Sequence, residues 1–144
     1  MQTPCSDYIE TKGLVYFARM LDKIRLHARG ELPVDYHKNL GAMRAADGAC
    51  CNFLRINYAD LHERVLQGGT DEEILEWCFT QGRRPNEEEI EIWNGFILKR
   101  GWRDASSTEL ESVKKENGFG DRPDLQTWVD FHDADEGRRP GGPQ

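Results

Sequence analysis

Apolar side chains along this chain recur at the three- and four-residue steps of helices. In GLVYFARMLDKIRLHARG, residues 13–30, the side chains of Leu14, Phe17, Leu21, Ile24 and Ala28 share one face, which predicts an amphipathic helix of about four turns stopped by Gly30. Residues 31–46 mix Pro33, Gly41 and polar groups with Tyr36 and Leu40, and read as an ordered loop; loops of this length are uncommon unless they cover something. After Asp47, the run GACCNFLRI predicts a short, mostly buried helix, and Tyr58, Leu61, Val65 and Leu66 mark another that ends at Gly68-Gly69.

Two further helix starts resemble each other. In Thr70-Asp71-Glu72-Glu73-Ile74 the threonine oxygen can accept an orphan amide while Glu73 reaches back to the cap, and Asn86-Glu87-Glu88-Glu89-Ile90 repeats the pattern sixteen residues later. The acids of each first turn oppose the positive end of the helix dipole, so they need no functional explanation. Ser107-Thr108-Glu109-Leu110 opens a helix running to about Asn117, with Gly118 as a left-handed cap. A last helix is expected from near Pro123, using Leu125, Trp128, Val129 and His132. Beyond it the sequence has no apolar anchor. The expected architecture is therefore all-α: one compact domain of five to seven helices over residues 8–133, followed by a flexible, disordered tail over 134–144.

Composition narrows the class. A length of 144 residues, with 38% hydrophobic and 31% charged side chains, is that of one ordinary globular core. The net charge of −7 is uneven, since residues 1–60 carry +1 and residues 61–144 carry −8. A field of that sign argues against nucleic acid as a partner and leaves only the N-terminal half to welcome an anion. The opening MQTPCSDYIETKG lacks a basic then apolar leader, and no apolar window is long enough for a membrane span, so no membrane partner is expected and the expected location is cytoplasmic. Cys5, Cys50, Cys51 and Cys78 lack the spacing of redox pairs or zinc knuckles and read as free, mostly buried thiols. With no H-E-x-x-H pattern and no glycine-rich phosphate loop, no metal and no cofactor is expected.

The densest run of chemistry lies on the first helix. Arg19, Lys23 and His27 follow one another at four-residue steps, and Asp22 sits three residues from both Arg19 and Arg25. Such a stripe can clamp a carboxylate or phosphate, Arg supplying a planar fork and Lys a compact charge; it is equally the pattern of a solvated face laced with ion pairs. Tyr36 and His37, in the loop that follows, are natural partners for a bound acid. The expectation drawn from them is a small anionic metabolite held by Arg19, Lys23 and Arg25, with Asp22 fixing the cations. If catalysis follows, Lys23 is the base or an electrostatic catalyst, Tyr36 or His37 the proton donor and Arg19 the anion anchor. Asn94 could orient Asp22 or the ligand, and Trp102, past a helix end, could cover the pocket. Trp77 and Trp93 keep helical spacing with Ile74 and Ile90 and read as core. The rival expectation is an interaction or regulatory module that uses the charged helix to specify a partner or a homodimer.

The segment Gly13 to Arg25, G-L-V-Y-F-A-R-M-L-D-K-I-R, resembles the opening signature of the DUF5069 family of bacterial proteins. Gly30, Tyr36-His37, Phe53-Leu54, Thr70-Asp71-Glu72-Glu73 with Trp77, and Ile90 with Trp93-Asn94 extend the resemblance over residues 13–100. Ala18 stands where the family tends to have proline, which alters the local helix start but keeps the charged stripe. The resemblance implies a small bacterial domain and brings no activity with it.

Overall fold

A computed structural model describes residues 2–142. Within them lie seven α-helices, one 3-10 helix and a two-stranded hairpin, with the main apolar core gathered from residues between Leu14 and Ile97, so the fold is mostly helical but not purely α. The departure comes at the start of the expected first helix. Glu10–Thr11 (β1) and Leu14–Val15 (β2) pair antiparallel, Glu10 opposite Val15 and Thr11 opposite Leu14. Lys12 and Gly13 turn the hairpin with φ of 50° and 83°, the positive values that a two-residue primed turn requires. Leu14 is buried, as its helical spacing with Phe17 suggested, but it and the buried Val15 are strand residues. The free edge of β2 is met by side chains: the Trp93 indole N–H donates to the Val15 carbonyl at 3.1 Å, and Asn94 accepts from Val15 N–H at 3.1 Å while donating to the Gly13 carbonyl at 2.8 Å. These side-chain bonds satisfy backbone groups that a helix would have satisfied internally.

Helix α1, Phe17–Ala28, then runs through the core with Phe17, Met20, Leu21 and Ile24 buried, and Gly30 at φ 69° follows its end. The loop after it contains the 3-10 helix Val34–Asn39, none of whose residues is buried. Helix α2, Ala46–Leu54, takes Asp47 into its first turn instead of starting after it. Helices α3 (Tyr58–Leu66), α4 (Asp71–Gln81) and α5 (Glu87–Lys99) follow, and both expected capping boxes form at Thr70 and Asn86. Helix α6, Ser107–Glu116, leads to α7, Trp128–Asp135, which is capped by Thr127 and so begins later than the Pro123 region. No helix among the described residues is long and apolar enough to cross a membrane.

The C-terminal expectation needs correcting. Helix α7 continues to Asp135, and beyond it Glu136 and Arg138 hydrogen-bond to Arg19 and Asp133 respectively. The anchor is ionic, which apolar periodicity does not register. Residues 143–144 of the expected tail lie outside the described residues.

Backbone meets backbone where α2 packs against the segment after α4. Arg83 N–H donates to the Leu54 carbonyl at 3.1 Å, and a Cβ built on Gly82 would stand 2.0 Å from that same oxygen. We therefore expect Gly82→Ala to destabilise the fold by about 1–3 kcal/mol, as measured by urea unfolding, because backbone on backbone has no side chain to give way.

Candidate functional site

The stripe on α1 is turned inward. Arg19 and Lys23 are only 2% and 5% exposed, and each meets carboxylates that come from distant parts of the chain. The Arg19 guanidinium grips Glu136 through both terminal nitrogens, at 2.8 and 2.7 Å, donates to the Cys5 carbonyl at 3.0 Å, and lies 3.7 Å from Asp7. Tyr36 adds its hydroxyl to the same Glu136 carboxylate at 2.6 Å. Lys23 donates to the Tyr16 hydroxyl at 2.9 Å and lies 2.8 Å from Asp47. The Tyr16 hydroxyl in turn donates to Asp47 at 2.5 Å, and the other oxygen of Asp47 accepts from Gly41 N–H. Around these, His132 sits 3.0 Å from Asp7, Ser6 donates to Asp133, and Arg138 reaches Asp133, Glu136 and the Pro4 carbonyl. The result is an ionic clasp that ties both ends of the chain to α1.

Of the residues expected to form one pocket, Arg19 and Tyr36 do meet, on a carboxylate, and Lys23 belongs to the adjoining Tyr16–Asp47 cluster. The others lie elsewhere. Asp22 accepts from Cys5 N–H at 3.0 Å, while Arg25 reaches Asp71 at 2.7 Å on the half-buried side of α1. His37 is exposed; its ring stands edge-on to His27 at 4.7 Å and its Nε2 lies 3.0 Å from the Leu32 carbonyl. Asn94 is spent on the hairpin edge, and Trp102 is 46% exposed beneath the Arg103 guanidinium. Sequence reasoning missed Asp7, Tyr16, Asp47, Glu136 and His132. Tyr16 alone left a signal, since it stands three and seven residues before Arg19 and Lys23 on the same stripe.

The clasp sets its own protonation. Burial pushes the Asp7 carboxyl up, but the charges of His132 and Arg19 outweigh it and hold the group well below the usual carboxylate range. Burial acts the same way on Glu136 and is outweighed by the hydrogen bonds and charge of Arg19 and by the Tyr36 phenol. A carboxyl depressed in the folded state adds stability above its unfolded pKa and loses it as pH falls. The stability these two carboxyls add should thus be lost as pH falls below about 4.5, with a shallower fall for Glu136→Gln; urea midpoints at a series of acid pH values would show it. Among the thiols, burial, then the neighbouring Asp22, pushes Cys5 up to about 12, and burial first raises Cys51 and Cys78 to about 12 as well, which disfavours the thiolate.

Two surface depressions lie apart from this clasp. One, of about 510 Å³, is walled by Lys12, Arg64, Glu72 and Glu76, where Glu76 pairs with both Lys12 and Arg84. The other, about 560 Å³, lies between α2 and α5 and is apolar at its floor: Phe53 and Trp93 stack with centroids 5.3 Å apart, and Phe96 lies 6.1 Å from Trp93. Ile92 and Phe96, one turn apart on α5, are 63% and 50% exposed. Guanidinium groups rim it. Arg83 covers the Phe53 ring at 4.6 Å, Arg100 stands 6.0 Å from the Phe96 centroid, and Arg55 lines the wall. Arg83 is committed to Glu89 and the Phe53 carbonyl, and Arg100 donates to the Arg44 carbonyl at 2.5 Å; neither Arg55 nor Arg100 forms an ion pair among the described residues.

A family model described as a domain of unknown function, DUF5069, matches residues 1–138. The match runs well past residue 100 and takes in α6, α7 and the clasp residues Glu136 and Arg138. No curated protein matches the chain.

Proposed function

The chain belongs to the DUF5069 family, and we propose that it acts as a docking module that holds an acidic segment of a partner protein in the α2–α5 groove. The observation that carries this is the exposure of Ile92 and Phe96 beside the guanidiniums of Arg55 and Arg100. Aromatic side chains and arginine are the residues that dominate binding energy at protein interfaces, and an exposed apolar patch rimmed by charge is the form such surfaces take. On a body of net charge −7 this rim is a local exception, and at a Debye length of about 8 Å the local cations decide what seats against them. The reading moves the interaction surface away from α1, whose Arg19 and Lys23 are turned into the core.

The test is calorimetric titration with a short peptide carrying Leu and Phe at helical spacing among Asp and Glu. We expect saturable binding that weakens about tenfold in Phe96→Ala and in Arg55→Ala, and that fades in high salt. A peptide of the same apolar spacing bearing lysines should not bind. Equal binding of both peptides would overturn the reading, as would a concentration-dependent dimer abolished by Phe96→Ala, which would assign the face to a second copy.

A further inference from the structure

Independently of the groove, we propose that Arg19 and Tyr36 form a receptor for a carboxylate-bearing ligand, which Glu136 occupies at rest and an external carboxylate enters by exchange. The geometry is that of a built site. Two nitrogens of one guanidinium each take one oxygen of a single carboxylate, and a phenol donates to the second oxygen, an arrangement fitted to a planar anion with two acceptors. Arg138 adds a further donor, and its own bonds to Asp133 and the Pro4 carbonyl keep it in place if Glu136 turns away.

The two sides of the site differ in how firmly they are held. Arg19 projects from the first turn of α1 and is buried, whereas Tyr36 rides on a 3-10 helix with no buried residue, where Val34 is 73% exposed. That helix is tied to the rest of the fold by the Tyr36 hydroxyl on Glu136 and by His37 against His27 and the Leu32 carbonyl, so it lies as a cover across the anion. Glu136 itself is the cap residue at the end of the eight-residue α7, its side chain 2% exposed within the clasp. Loosening one terminal residue and a surface turn therefore opens the site without disturbing α1. An occupant tethered in this way competes at an effective concentration of about millimolar or above, so a simple carboxylate needs at least that concentration and a physiological ligand needs further contacts.

Thermal unfolding at constant ionic strength, with acetate and succinate titrated against chloride, tests this. The wild-type protein should show a saturable rise in Tm with the carboxylates and none with chloride. Glu136→Gln, which keeps the shape and removes the competing charge, should lower the half-saturating concentration about tenfold or more, and Tyr36→Phe should raise it by a similar factor. A purely structural ion pair makes a different forecast: a wild-type protein insensitive to carboxylate, whether or not Glu136→Gln responds, overturns exchange. So does a response that Tyr36→Phe leaves unchanged while circular dichroism shows it folded.

Discussion

Arg19→Met should remove about 3–5 kcal/mol of folding free energy, enough to unfold many domains of this size outright. The loss of packing is small, because methionine fills much of the same volume. The cost lies in what is left behind: Glu136 loses both charge-assisted bonds, Asp7 loses its nearer permanent cation, and the Cys5 carbonyl loses a donor, all with little water to replace them. Adding Glu136→Gln to Arg19→Met should recover part of that loss, since the second change removes the stranded charge. Equilibrium urea unfolding of the two single variants and the double variant gives the coupling, and an additive cycle would show that the pair is not the source.

Asp47→Ala should cost a comparable 3–5 kcal/mol. The carboxylate is fully buried and serves three groups: the Lys23 ammonium, the Tyr16 hydroxyl and the Gly41 amide. Removing it leaves a cation in the core beside a phenol with no carboxylate acceptor. Tyr16 makes the position more demanding, because its backbone sits at φ 77° and ψ −32°, a conformation rare for a bulky residue and sustained only where the surroundings over-determine it. Lys23→Met in the Asp47→Ala background should restore stability, measured in the same unfolding experiment, because a neutral aliphatic chain needs no partner there.

How much of this was legible in the sequence follows from which interactions are local. Both capping boxes are contained within four residues, and they formed as read, at Thr70 and Asn86. The helix periods of α3, α4 and α5 are local too. The start of α1 was misread because Leu14 and Phe17 satisfy a helical step equally well when a turn at Lys12-Gly13 places Leu14 in a strand. The inward turn of Arg19 and Lys23 depends on Glu136 and Asp47, which lie 117 and 24 residues away and belong to no shared pattern with α1. The groove shows the same limit. Trp93 was read as core and is core, at 4% exposure, but that its neighbour Phe96 is left half exposed beside Arg100 is settled only by how α5 packs on β2 and α2.

One measurement bears most directly on where this protein makes its contacts: amide and indole NMR shifts of the uniformly labelled protein during titration with the acidic amphipathic peptide. The groove account predicts saturable shifts at Phe53, Arg55, Ile92 and Phe96, together with the indole N–H of Trp93 that hangs on the Val15 carbonyl. Saturable binding that leaves those resonances unmoved would contradict it.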